Sequence, residues 1–258
     1  MKIRPKNVIV IGGGTGIGYA TAQLLLDNGV DSVILAGRTK SKLLDAVSNL
    51  RFSENQSVIT EEFDISKVTN HRTWIDRVET VLGKVPDGLV ISSGVNYSAA
   101  NWHGFNITEK DYDRVMSINL KGPFFLIRNF SNYVFEKHSK ANICVVSSIS
   151  AHRDLLSVYQ VSKNALSGIV HAYGKHLVQR GIVLNCVEPG TTDTDMMPHL
   201  KKFTDGLRDG EEWKDNALKR VLRPEEIANV ICYLMSDVSD VLSGTCLLAG
   251  GGCRSIFR

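Results

Sequence analysis

The chain has 258 residues, 43% hydrophobic and 22% charged, which suits one large α/β domain with a sizeable core better than two small ones. The formal net charge is +3 with no basic block, and this argues against a nucleic-acid partner. No apolar run approaches a membrane span, and the segment after the basic start is too short for a signal-peptide core, so a cytoplasmic protein with no membrane partner is expected.

Short apolar runs alternate with helical patterns along the whole chain. Strands are expected at Asn7–Gly12, Ser32–Gly37, Ser57–Phe63, Gly88–Ser92, Asn142–Ser147, Ile182–Val187 and Cys246–Ala249. Between them, helices are expected at Ile17–Asn28, Lys40–Leu50, Val68–Leu82, Glu109–Leu120, Phe124–Lys137, Val158–Arg180 and Pro224–Met235. Gly122-Pro123 marks a break or join between the fourth and fifth helices. Continuously apolar strands alternating with helices imply a parallel sheet covered on both faces. The right-handed crossover rule makes this a single-domain, Rossmann-type doubly wound sheet of about seven strands. Only Thr191–Arg220 departs from the pattern. It is polar and charged, and it follows a strand's C-terminal end. It reads as a substrate lid, or as a solvated surface excursion.

Five cysteines are present, Cys144, Cys186, Cys232, Cys246 and Cys253, with no C-x-x-C pair. An odd count in mostly apolar stretches points to free thiols in a reducing compartment, with no metal site.

Between the first strand and first helix lies Gly12-Gly13-Gly14-Thr15-Gly16-Ile17-Gly18. Such a turn lets backbone amides approach a pyrophosphate, and the helix N-terminus favours negative charge. The second strand ends Leu35-Ala36-Gly37-Arg38, about 20 residues further on, where an NAD site would carry Asp or Glu. A small residue leaves room for a 2′-phosphate, and a guanidinium grips it as a fork. Arg38, with Lys40 and Lys42 nearby, therefore indicates NADP(H). Asp64, after the third strand, either accepts from the adenine amino group or caps the next helix.

Tyr159 and Lys163 stand four apart and share one helix face. A free tyrosine, with a pKa near 10, is a poor acid/base at neutral pH. A neighbouring ammonium favours the phenolate, and a tyrosine tuned this way can protonate a carbonyl oxygen.

In this order, the glycine turn, Asp64, Asn119 in Ser-Ile-Asn-Leu-Lys-Gly, Ser147-Ser148, Tyr159-x-x-x-Lys163 and Asn185-Cys-Val-Glu-Pro189-Gly190 resemble a short-chain dehydrogenase/reductase over nearly the whole chain. A late Arg223-Pro-Glu-Glu-Ile and Ser243-Gly244, then Gly250-Gly251, extend the likeness. The resemblance implies a Ser148–Tyr159–Lys163 triad aided by Asn119. Tyr159 would be the acid/base, and Lys163 would bind the ribose and tune it. Ser148 would hold the substrate oxygen, and Asn119 a water linking Lys163 to solvent. The cofactor would run along Gly12, Gly14, Thr15, Gly16, Ile17, Gly18, Arg38, Asp64, Ile65, Ser93 and Gly94, then Tyr159, Lys163, Pro189, Gly190 and Thr194. The family is commonly tetrameric, so a homotetramer or homodimer is expected, with Gly250 and Gly251 at a subunit interface.

Three departures stand out. Ile11 precedes the turn where the family usually has Thr. Ser92-Ser93-Gly94 replaces the family's Asn-rich fourth-strand end. Ser148 and Tyr159 are closer in sequence than is usual, with Ser150 and Ser147 as fallbacks for Ser148. The tightened loop carries His152, Arg153 and Asp154, which either face substrate as polar-group binders or are solvated. Asn96, Tyr97, Trp102 and His103 follow the fourth strand where a substrate wall would form. Met196, Met197, His199 and Phe203 would give the lid an apolar cover, or are ordinary packing residues.

The expected activity is hydride transfer between NADP(H) and a ketone or secondary alcohol on a small molecule. A carrier-linked 3-ketoacyl thioester is an alternative. It would need a basic docking patch, for which Arg128, Lys137, Lys175 and Arg180 are scattered candidates. A non-catalytic NADP(H)-binding sensor or scaffold on the same fold is the other alternative.

Overall fold

The computed structural model describes residues 2–96, 107–153, 157–196 and 215–253. The strands are β1 (Asn7–Ile11), β2 (Ser32–Gly37), β3 (Ser57–Glu62), β4 (Gly88–Ile91), β5 (Ala141–Val146), β6 (Ile182–Pro189) and β7 (Cys246–Ala249). They form one parallel sheet in the order β3-β2-β1-β4-β5-β6-β7. This is a single-domain Rossmann-type α/β fold.

Side-chain alternation divides the core. Ile9 and Ile11 of β1 face one layer, with Trp74, Phe130 and Leu166 from α3 (His71–Leu82), α5 (Gly122–Glu136) and α6 (Val158–Leu177). Val8 and Val10 face the other, with Leu25, Leu43 and Ile231 from α1 (Gly16–Asp27), α2 (Lys40–Asn49) and α7 (Pro224–Leu234). Strands buried on both faces need apolar residues throughout, and β1, β4, β5 and β6 are buried along their whole lengths. Each fully buried Ile, Leu or Phe contributes roughly 1.5–3 kcal/mol.

Between α4 (Glu109–Met116) and α5 the helix does not break. Its turn Ser117–Lys121 widens into a π segment. Pro123 removes one amide from the ladder and crowds the carbonyls one turn back, and the widened turn accommodates both effects. Asn119 sits within this segment, fully buried.

The ends of the polar excursion are anchored. Leu222 N donates to Thr191 O at 2.9 Å, and Asp193 N donates to Leu222 O at 2.9 Å. Arg220 grips Glu226 in α7 through two bonds of 2.7 and 2.6 Å. That fork holds the Glu226 carboxyl down at about 2. Residues 197–214 of the expected lid lie outside the described residues.

Candidate active site

Strand order reverses between β1 and β4, so their C-terminal ends diverge and open a crevice. A cavity of about 770 Å³ occupies it. Its wall carries the glycine turn at one end and the Ser–Tyr–Lys group at the other.

The turn is shaped by close backbone approach. Gly12 has φ +79°, and a Cβ there would meet Ser93 N at 2.9 Å. A Cβ on Gly18 would lie 2.2 Å from Gly12 O. Gly18 does not itself line the cavity; it lets α1 start directly beneath the turn. Gly12, Gly14, Thr15, Gly16 and Ile17 do line it, as do Arg38, Asp64, Ile65, Ser93 and Gly94. Ser93 Oγ is buried with no hydrogen-bond partner among the described residues. An orphaned hydroxyl beside a glycine-shaped anion cradle fits a phosphate-bearing dinucleotide. Arg38 is exposed at the cavity edge and makes no ion pair or hydrogen bond among the described residues. Lys42, by contrast, lies 3.5 Å from Asp195. Asp64 spends one oxygen on Ser66, accepting from its N at 3.0 Å and its Oγ at 2.7 Å.

At the other end, Ser148 caps a short 3₁₀ turn, Ile149–His152, and accepts from Ser150 N at 3.1 Å. Its hydroxyl is the polar neighbour that acts on the Tyr159 phenol. Desolvation pushes the Tyr159 phenol up, and Ser148 opposes that. Lys163 Nζ stands 5.6 Å from the centre of the Tyr159 ring and donates to Val146 O at 2.9 Å. Burial brings the ammonium down to about 8. The expected ammonium effect on the phenol is therefore not the leading influence here; desolvation is. Ser147, one of the fallbacks, donates to Lys163 O at 3.0 Å and supports the helix instead.

Asn119 is a strut. Its Oδ1 accepts from Val95 N at 2.9 Å, and its Nδ2 donates to Val95 O at 2.9 Å and Ser162 Oγ at 3.2 Å. It does not line the cavity, but a Cβ on Gly94 would lie 3.6 Å from both Asn119 Oδ1 and Lys163 Nζ. It thus ties the β4 exit to α6. Pro189, Gly190 and Thr194 line the cavity, with Asn96 and Met196.

One sequence expectation is corrected. His152 does not face the cavity; its Nε2 lies 2.7 Å from Glu188 Oε2. Glu188 is buried in β6 and accepts from Ser167 Oγ at 2.7 Å. Arg153, the next residue, lines the cavity. A lone acid inside the otherwise largely apolar strand Ile182–Pro189 is the sequence signal for Glu188. Asp154 and Met197 lie outside the described residues, as do Tyr97, Trp102, His103, His199 and Phe203.

Cys186, Glu188 and Cys246 bring their ligand atoms within 4.8 Å of one another. Each has a protein partner: Cys186 Sγ with Val187 O, Cys246 Sγ with Ser167 O, and Glu188 with His152 and Ser167. We assign no metal there.

A family model described as "Enoyl-(Acyl carrier protein) reductase" matches residues 12–254. The chain belongs to the short-chain dehydrogenase/reductase family, whose members are oxidoreductases that bind a nicotinamide cofactor. It is 26% identical to a diacetyl reductase [(S)-acetoin forming] of Staphylococcus epidermidis, covering 96% of this chain and 98% of that one. It is 28% identical to the 2,3-dihydro-2,3-dihydroxybenzoate dehydrogenase of Escherichia coli, covering 98% of each. A dehydrogenase/reductase from Sinorhizobium meliloti superposes with a TM-score of 0.80 at 27% identity, over 98% of this chain and 97% of that one. A short-chain type dehydrogenase/reductase from Mycobacterium ulcerans gives 0.86 at 22% identity, over 98% and 90%. Among the described residues no helix is long and apolar enough to cross a membrane.

Proposed function

We propose that the protein is an NADP(H)-dependent reductase of small carbonyl compounds, working reversibly as a secondary-alcohol dehydrogenase. The observation that carries this is one cavity lined both by Ser148, Tyr159 and Lys163 and by Arg38, which has no ion-pair or hydrogen-bond partner among the described residues. Gly12, Gly14, Thr15 and Gly16 would hold the pyrophosphate, and Arg38 the 2′-phosphate. Ile65, Ser93 and Gly94 would flank the adenosine half. Pro189, Gly190 and Thr194 would border the nicotinamide, which supplies the hydride when bound.

The chain's own residues then handle the proton. Ser148 orients the substrate oxygen and Tyr159 donates to it. A phenol pushed up by burial stays protonated at neutral pH, which suits a donor in the reducing direction. Lys163 holds positive charge beside the phenolate left behind, and Asn119 fixes the Gly94–Val95 backbone against α6. Asn96, Met196 and the 191–220 segment would bound the substrate.

The relatives named for diacetyl and dihydroxybenzoate chemistry support a small free substrate. A carrier-linked thioester is not favoured by the basic residues: Lys137 pairs with Glu79 at 2.8 Å, and Arg128 and Arg180 lie over Phe125 and Phe135. A homotetramer or homodimer is inferred from an apolar hollow on the surface of the π segment, α5 and α6, lined by Leu120, Phe124 and Ile169. Five free cysteines, three of them buried, suit a reducing cytoplasmic setting.

The test is a fluorescence titration with NADPH and NADH, followed by ketone reduction by the wild type and Tyr159→Phe. We expect tighter NADPH binding, and a kcat loss of about 10²–10⁴-fold in the variant with cofactor binding retained. Equal turnover by Tyr159→Phe would sink the mechanism. Cofactor binding with no turnover of any carbonyl or alcohol would favour the sensor reading.

A further inference from the structure

His152 and Arg153 are neighbours that face opposite ways. His152 closes the 3₁₀ turn and Arg153 is the first extended residue after it, φ −98° and ψ 146°. His152 turns out of the cavity and is held by buried Glu188 at 2.7 Å. Glu188 is held in turn by Ser167 at 2.7 Å. Arg153 N donates to Ser150 O at 3.3 Å, and its carbonyl accepts from the Gln160 side chain, next to Tyr159. Residues 149–153 are thus latched, by His152 to Glu188 and by the Arg153 carbonyl to Gln160, and Arg153 lines the same cavity as Ser148 and Tyr159.

The guanidinium is only partly satisfied there. Its Nε is buried with no hydrogen-bond partner among the described residues. The Arg153–Asp215 ion pair spans 3.9 Å, beyond hydrogen-bond reach, and the Asp215 side chain is 49% exposed. Among the described residues the guanidinium also meets the Cys253 thiol. A guanidinium offers five donors in a planar fork that matches a carboxylate. Leaving such a group half desolvated with its Nε unsatisfied among the described residues is costly, and an incoming anion reduces the cost. Asp215 already offsets part of the charge, which suits a monoanion better than a phosphate dianion. Lys163 is committed to Val146 O, and Lys42 to Asp195.

We propose that Arg153 is a specificity-determining residue that binds the carboxylate of the substrate, so that the preferred substrates are oxo acids or the matching hydroxy acids. This rests on the reading that the cavity reduces carbonyls.

The experiment compares kcat/KM with NADPH for 2-oxobutanoate, acetoacetate and levulinate against their methyl esters, with butane-2,3-dione as a neutral ketone. Wild type, Arg153→Gln and Arg153→Lys are compared after NADPH titration shows that each is folded. Removing a charge-assisted bond is worth about 10–150-fold. We expect one acid to exceed its ester by about 10-fold or more in the wild type, that ratio to collapse in Arg153→Gln, and an intermediate ratio in Arg153→Lys. Ratios near one in the wild type, or a ratio kept by Arg153→Gln, overturn the proposal. Turnover of butane-2,3-dione alone overturns it while leaving carbonyl reduction standing. If no carbonyl is reduced, the functional reading fails separately. Calorimetric binding of levulinate to the protein with NADP⁺ then decides the inference: binding that Arg153→Gln abolishes supports it, and no such binding overturns it.

Discussion

Arg38→Ala separates the two nicotinamide cofactors. Arg38 follows the last residue of β2 and has no ionic or hydrogen-bonded partner among the described residues. Its charge is therefore free for a ligand, and its removal leaves no orphaned protein group. A hydrogen bond to a charged partner is worth about 1.5–3 kcal/mol. Arg38 is exposed, so screening holds the effect to the lower end, about 10–30-fold in Kd. The 2′-hydroxyl of NADH carries no such charge, and its Kd should stay within about 2-fold. Lys42→Ala is an internal comparison. That ammonium lies 3.5 Å from Asp195, with both side chains more than half exposed. Its charge is already partly offset, so its loss should weaken NADPH by only about 2–3-fold. The assay is titration of intrinsic or nicotinamide fluorescence with each cofactor at fixed ionic strength. Equal weakening of NADH and NADPH by Arg38→Ala, or no weakening of either, would refute the phosphate assignment.

Three further outcomes follow from the same geometry. Gly18→Ala places a methyl 2.2 Å from Gly12 O, so the turn must shift; a stability loss of about 1–3 kcal/mol in urea melts is expected, with NADPH affinity falling alongside, and an unchanged midpoint would disprove the close contact. Asn119→Ala strips partners from Val95 N, Val95 O and Ser162 Oγ; a loss of about 2–5 kcal/mol is expected, with kcat reduced, and a loss below about 0.5 kcal/mol would show the strut is dispensable. For pH, the buried Lys163 ammonium titrates at about 8, below its ordinary value, whereas the Tyr159 phenol is pushed up. The carbonyl-reducing kcat/KM of the free enzyme should therefore be flat through neutrality and fall as pH rises past about 8, when the ammonium is lost before the phenol. A profile flat to pH 10 would contradict that order of titration.

The parts of this protein that depend on local spacing are legible in the chain. Continuous apolar runs announce buried parallel strands, because only a strand covered on both faces wants apolar residues at every position. Tyr159 and Lys163 share a face because a helix returns every 3.6 residues. Gly18 is required by a contact inside a single strand–turn–helix unit, with Gly12 O, whereas Gly12 combines a locally set positive φ with a close approach to Ser93 at the exit of β4. The boundary differences are small and local: β4 ends at Ile91, before Ser92, and of the break or join expected at Gly122-Pro123 the structure has a join, through a π turn just before it.

Other features arise from pairings between distant segments. Asn119 finds Val95 and Ser162 only because β4, the π segment and α6 converge. His152 and Arg153 look alike in sequence as polar loop residues. Which one enters the cavity is decided by Glu188 on β6, 36 residues away from His152. Composition alone makes Glu188 an oddity in an apolar strand, while packing turns it into the anchor of the catalytic loop. The chain by itself thus determined the sheet, the anion turn and the Tyr–Lys pair, all set by short-range periodicity. The facing of the loop and the bracing of the site were decided by tertiary contacts, because burial and orientation exist only once distant strands are side by side.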